Sequence, residues 1–489
     1  MNRLFANFPS EIRALFFIKI FTTFSYAVLY SSLILYMNQN LKLSSVEATG
    51  VVGVFISLNF LLHFAGAYAG GKLVSNRTLL VAGMCLELVG CLILNSYLYV
   101  GLGIFLSGSG LYATSINAIM IQQYQPEDDR RELASFWLYS AMNLGFFIGG
   151  TVSGYFHMYD QYAMMFYLAA LVSIGSIVLI LTNWHSLQDK TTEYVSLSWP
   201  IQRVRNNYSL LAIPLIAIMV ILALYYHEKT SALIISCGAI VFCIALSMAY
   251  IQAKANEKGK IMAFSILVFS ALAFWSLFFI GPMGLTLFIK HHVNNEFLGW
   301  HIAPQWYHNI NTVIIVFGGP ILASWFKSKR EQGAEFSFPF LFSLGLLCIG
   351  LAYVLLPVGM ALQPQGYLLP MLWVVLSYIL LTLGELFLSP IGVAMVGKVA
   401  PQGKQGLLLG IWSMVSGIAT MISKYLSQMM VIPQNTTEMG TAVYAHMFNR
   451  IGWGAIIISV VLFSLIPFVK SLINNEDDVG NSNSSAKYA

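Results

Sequence analysis

Apolar residues run along this chain in long blocks separated by short polar turns. The blocks fall at 13–37, 46–69, 78–98, 101–123, 133–155, 162–182, 208–226, 231–253, 261–289, 309–327, 336–357, 366–397, 405–431 and 450–470. About twenty apolar residues in helical form cross the ~30 Å hydrocarbon layer of a bilayer. The pattern therefore predicts an all-α integral membrane protein with about fourteen transmembrane helices.

An even number of spans puts both termini on one side, and the distribution of basic residues says which. With the termini cytoplasmic, all but six of the 25 Lys and Arg fall in cytoplasmic loops or ends. Lys42, Lys229, Lys290 and Arg450 lie in the opposite loops, and Lys19 and Lys424 within spans. That bias is the positive-inside rule. The expected location is the cytoplasmic (inner) membrane.

Two segments repeat a pattern. "GAYAGGKLVSNR" (66–77) ends the second span and "GPILASWFKSKR" (319–330) ends the tenth. Each reads Gly, three residues, two small residues, then Ser-x-Arg after a bulky apolar position, and both are expected in cytoplasmic turns. The spacing fits two six-span halves, with 208–226 and 231–253 inserted between them. Two related halves around a midplane site is the layout of major-facilitator transporters. The expected division is an N-terminal bundle over 1–182, a linker with two inserted helices over 183–260, a C-terminal bundle over 261–471 and a disordered tail over 472–489. The polar stretch 183–207 is expected on the cytoplasmic surface. "GFFIGGTVSG" (145–154) places Gly145 and Gly149, and Gly150 and Gly154, at the four-residue spacing of close helix packing.

Composition narrows the class further. Only 9% of residues are charged and 58% are hydrophobic, against about 25% charged in soluble proteins. The five cysteines, Cys85, Cys91, Cys237, Cys243 and Cys348, lie inside apolar runs without metal-ligand spacing and read as core residues. No Walker-type Gly-rich loop points to ATP. No catalytic constellation, cofactor or nucleic-acid site is expected. Histidines 291, 292, 301 and 308 follow the ninth span without a metal-binding pattern and read as solvated loop residues.

One charge stands apart. In "LTLGELFLSPIG" (381–392), Glu385 has no charged neighbour from Glu335 to Lys398. A carboxylate at the centre of a membrane helix costs about 2.5–3.5 kcal/mol on insertion scales, so it is expected to carry function. Glu87, in the third span, reads instead as a structural hydrogen-bonding group or as a carboxyl that desolvation keeps protonated. Lys424 is expected to reach headgroups or a carbonyl near the end of its span. Lys19 has three readings: snorkelling, pairing with a carboxylate, or substrate contact. His63, in the second span, reads as a helix contact or a proton carrier.

Three stretches resemble the proton-dependent oligopeptide transporter family, especially its bacterial di- and tripeptide permeases. They are "SGSGLYATSINAIMIQQYQPEDDRRELASFWLYSAMNLGFFIG" (107–149), "FWSLFFIGPMGLTLFIKHHVNNEFLGWHIAPQWYHNINTVIIVFGGPILA" (274–323) and "GELFLSPIGVAMVGKVAPQGKQGLLLGIWS" (384–413). The resemblance implies a monomeric, proton-coupled carrier of small peptides. It implies that Glu385 receives the peptide ammonium, that Asn311 contacts the same end, that Asn143 bonds the peptide backbone and that Trp412 closes the pocket. Tyr26 and Tyr30 would line it, and Glu385, Lys19 and His63 are the candidates for proton coupling.

The departures are lopsided. The family's E-x-x-E-R cluster is replaced by Lys19, Thr22 and Thr23. A second arginine is Tyr30, a lysine is Ala113, a seventh-helix glutamate is Phe279, and the aspartate of a cytoplasmic motif is Ser75. The cations that would hold a peptide carboxylate are gone, so binding is expected to depend little on that carboxylate. Two alternatives stay open: a carrier of another amine-bearing solute, such as a metallophore or drug, by uniport or export; or a non-transporting sensor or assembly protein.

Overall fold

The computed structural model describes residues 10–125, 128, 130–255, 257–333, 336–364, 367–400, 405–430 and 437–474. Residues 475–489, most of the expected tail, lie outside the described residues. The first helices are α1 (Ser10–Gln39), α2 (Ser45–Ala69), α3 (Asn76–Leu94), α4 (Leu98–Tyr112), α5 (Ser115–Ile121), α6 (Arg130–Met158), α7 (Tyr162–Thr182), α8 (Glu193–Ser196) and α9 (Trp199–Tyr225). Then come α10 (His227–Ile251), α11 (Lys258–Phe278), α12 (Thr286–His292), α13 (Trp306–Glu331), α14 (Phe338–Ala361), α15 (Met371–Val399), α16 (Gln405–Met430), α17 (Thr437–Ser464) and α18 (Ile466–Asn474).

Thirteen spans among the described residues are long and apolar enough to cross a membrane, with α4 and α5 forming one of them, and α11 and α12 another. The fourteenth expected span, 133–155, lies in α6. That helix has 29 residues but carries Ser135, Ser140, Asn143, Thr151 and Ser153, so it is the more polar one. The protein is an all-α membrane protein. Its residues group into two compact units, 1–230 with 303–312 and 231–302 with 313–489. The division falls inside α13, whose first turns belong to the first unit.

Within the first unit α1 packs along α6. A Cβ at Gly145 would lie 2.6 Å from the Ile20 carbonyl oxygen and 2.8 Å from Thr23 Cβ. At Gly149 it would lie 2.7 Å from the Phe24 oxygen. Only glycine lets these backbones meet, as the four-residue spacing implies. In the second unit, Gly350 of α14 and Gly452 of α17 approach in the same way, each 2.9 Å from the other's carbonyl oxygen if given a Cβ.

The two repeat segments fold differently. In the first, Gly71 takes φ +72° and the chain turns between α2 and α3. In the second, Ala323 and Ser324 stand where Gly70 and Gly71 stand in the first. Neither residue favours positive φ, and α13 runs on to Glu331. The expectation of two equivalent turns is corrected accordingly.

The start of α3 shows how the linker is held. Ser75 caps the helix, its oxygen accepting from Thr78 N–H at 3.3 Å. The carboxylate at this helix end comes from the linker. Asp189 is buried and accepts from Asn76 N–H at 2.7 Å, from the Asn76 side-chain amide at 2.7 Å and from Gln122 at 3.2 Å. A negative charge is favoured at a helix N-terminus. Arg77 donates to the Trp184 carbonyl at 2.7 Å and stacks on its ring. Arg205 donates to the Lys72 carbonyl at 2.8 Å. Asp189→Asn keeps the size but turns an amide donor toward donors. It is expected to destabilise the protein by about 1–3 kcal/mol, seen as a lower melting temperature and faster proteolysis within 183–207. An unchanged melt would show that the linker is not held this way.

Glu87 is fully buried and accepts from Tyr112 O–H at 2.8 Å, linking α3 to α4. This contact is the first of the two readings that the sequence leaves open.

Candidate functional site

In the first unit the site is built on α1. From Thr22 to Asn38 every residue of this helix is buried except Tyr26 and Tyr30. They are four residues apart and share a face. Their ring centroids lie 5.9 Å apart. Tyr26 stacks on Phe55 of α2 at 5.8 Å, and Phe146 of α6 meets both tyrosines edge-on, at 6.2 and 6.0 Å. Such edge-to-face contacts are a preferred aromatic geometry.

Asn143 is buried on α6, three residues before Phe146 and so on the same side of that helix. Its amide donates to the Tyr139 carbonyl at 2.9 Å. The first turns of α13 are seated on α6 by two side chains. Trp306 Nε1 donates to the Thr151 carbonyl at 3.0 Å, and Asn309 Nδ2 donates to Thr151 Oγ1 at 2.8 Å. This seating places the His308 ring 6.2 Å from Tyr30. Asn311 follows at i+3 from His308, half-buried.

The structure thus groups Tyr26, Tyr30, Phe55, Phe146 and His308 in one aromatic cluster, with Asn143 and Asn311 one turn away along their helices. Phe55 and Phe146 carry no sequence signal beyond the general aromatic content. His308 has one, its place three residues before Asn311, and the loop reading of that histidine is corrected. It lies in α13. His292 is buried, 3.1 Å from Thr441 Oγ1 and stacked on Phe288. His291 and His301 are the exposed members of that group, and His301 pairs with Glu296 at 3.0 Å.

Lys19 is half-buried on α1 beside the buried Thr22 and Thr23. Thr23 sits against Gly145, which leaves no room there for a long side chain. His63 of α2 is half-buried and within electrostatic reach of Lys19.

In the second unit, Glu385 is half-buried at the middle of α15, five residues before the in-helix Pro390. Trp412 of α16 packs against Gly392, where a Cβ would overlap its indole, and lies 6.2 Å from the Phe342 ring. Phe279 is buried and stacked on Trp275 at 5.7 Å. The preceding segment, Gly281–Leu285, is a π-helical turn whose Gly284 N–H donates to Ser427 Oγ at 3.2 Å. Such turns are frequent at functional sites.

Lys424 requires a correction. It is fully buried, not at the headgroups, donating to Ser231 Oγ at 3.1 Å with its ammonium 4.5 Å from the Tyr425 ring centroid.

A sequence model described as the POT family matches residues 73–447. "Dipeptide and tripeptide permease B" of Salmonella typhimurium is 24% identical over 474 residues, covering 95% of this chain and 96% of the relative. "Dipeptide and tripeptide permease B" of Yersinia enterocolitica is 26% identical over 479 residues, 96% of each chain. Among solved structures, a crystal structure of peptide transporter POT in complex with sulfate is similar with a TM-score of 0.82. Its identity is 24%, and the match covers 95% of this chain and 96% of that one.

Proposed function

The chain belongs to the POT family, and from that premise we propose that it carries small peptides across the cytoplasmic membrane as a proton-coupled secondary transporter. The fold is that of the major-facilitator superfamily. Its two six-helix bundles are assigned to 1–182 and 261–471, around an inserted segment at 183–260. Transport follows from alternating access to a midplane site.

The observation that carries this reading is Glu385, half-buried at the middle of an apolar helix inside the segment that matches the family. A carboxylate held there can exchange a proton for a substrate ammonium, which joins peptide binding to proton movement. Asn143 and Asn311 offer amides to the peptide backbone. Tyr26 and Tyr30 supply apolar faces for peptide side chains, and Trp412 covers the pocket. Because Lys19, Thr22 and Thr23 replace the acidic cluster, Lys19 and His63 are the remaining candidates for a second proton-handling group. Proteoliposome uptake of a labelled dipeptide tests this. Uptake is expected, and an inward-directed proton gradient should drive accumulation above equilibrium. Absence of uptake under both conditions would overturn the reading.

A multi-pass protein in the inner membrane with both termini cytoplasmic also makes a labelling prediction. In a background lacking the five native cysteines, Asn294→Cys should react with an impermeant maleimide from outside the cell. A cysteine added to the C-terminal tail should react only after permeabilisation. Reaction of both from one side would show that the span count is wrong.

A further inference from the structure

We infer that Lys19 binds the carboxylate of the transported peptide, an inference that rests on the peptide-transport reading above. The starting point is a cation without a counter-group. Lys19 is half-buried inside α1, more than two turns from the first residue of the helix. Its ammonium has no hydrogen bond, ion pair or ring contact among the described residues. His63, another base, lies within its electrostatic reach. Lys424, the other lysine deep in a span, is fully buried and does have partners, Ser231 and the Tyr425 ring. Among the described residues, Lys424 is satisfied internally and the half-buried Lys19 is left open.

The position of the open one points to substrate. At about 100° per residue, Lys19 lies within roughly 20° of both Tyr26 and Tyr30 around the helix axis, seven and eleven residues before them. The three form one stripe, and the two tyrosines are the residues that α1 leaves uncovered between Thr22 and Asn38. Ionisable side chains within membrane spans face a bundle interior or a water-filled cavity rather than lipid. A peptide carries a free carboxylate at one end. That end needs a cation on the pathway, and Lys19 is a cation on the tyrosine stripe with no bonded partner among the described residues. The loss of basic residues at Tyr30 and Ala113 suggests that a substrate carboxylate matters little. The open ammonium on α1 replaces that expectation.

The test uses the full-length protein in proteoliposomes and measures competition by a dipeptide and by the same dipeptide amidated at its C-terminus. Wild type should prefer the free acid by at least about tenfold. Lys19→Met should bring the two within about twofold by weakening the acid alone, and Lys19→Arg should restore most of the preference. If Lys19→Met keeps the wild-type preference, or weakens acid and amide equally, the inference is wrong while peptide transport stands. If wild type takes up neither form, the transport reading fails and the inference falls with it.

Discussion

Glu385→Gln is expected to lower uptake of amine-bearing peptide per correctly inserted molecule by at least about a hundredfold. The substitution keeps the size of the side chain and removes its charge. If Glu385 pairs with a substrate ammonium in a water-poor site, the variant leaves that ammonium without a counter-charge. Breaking a buried ion pair from one side costs roughly 3–5 kcal/mol. At about 1.4 kcal/mol per tenfold, even the lower end exceeds a hundredfold. Folding should survive, because a neutral amide is easier to bury than a carboxylate. A structural role predicts the opposite pattern, with poor insertion but normal specific activity in the protein recovered. Initial uptake rates normalised to inserted protein distinguish the two, and near-wild-type uptake by Glu385→Gln would falsify the assignment.

Gly145→Leu is expected to abolish recovery of folded protein. The glycine sits where α6 meets the backbone of α1, with Ile20 and Thr23 already within 3 Å of any added Cβ. Overpacking a tight contact typically costs about 1–3 kcal/mol and sometimes more. Here the obstacle is main chain, which cannot swing aside as a flexible side chain does. The helix displaced is the one that carries Lys19, Tyr26 and Tyr30. Gly454→Ala is the control: nothing lies within 4 Å of a Cβ at that position in α17. Replacing glycine by alanine inside a helix should stabilise by roughly 0.5–1 kcal/mol. Thermal melts of the detergent-solubilised variants give the comparison. A Gly145→Leu protein that melts with wild type would show that α1 and α6 do not depend on this contact.

Much of the molecule was legible from the chain alone. The membrane class, the positions of the spans and the expected orientation are read from local properties. A span is twenty consecutive apolar residues, and lipid selects for that run whatever the helix packs against. The family followed from short motifs, "GELFLSP" and "GIWS" among them. Glu385 stood out because one charge among dozens of apolar residues is conspicuous without any structure. The small-residue spacing in α6 also named its own consequence, since only glycine permits the backbone approach at Gly145 and Gly149.

What tertiary structure decided was which polar groups have partners, and those partners lie far away in sequence. Asp189 reaches α3 across 113 positions, and Lys424 reaches Ser231 across 193, so neither was legible in a window of neighbours. His308 read as a loop histidine until α13 was seen to begin before it and to seat it beside Tyr30. The first copy of the repeat leaves its helix at an extended Gly70 and turns at Gly71 with positive φ, whereas the alanine and serine at those places in the second copy continue as helix. Hydropathy places a helix in the bilayer, but satisfaction of a buried polar atom is a pairwise property of the folded chain. For that reason the sequence alone could pick out Lys19 as unusual, and only the packed helices could show that no described residue bonds to its ammonium.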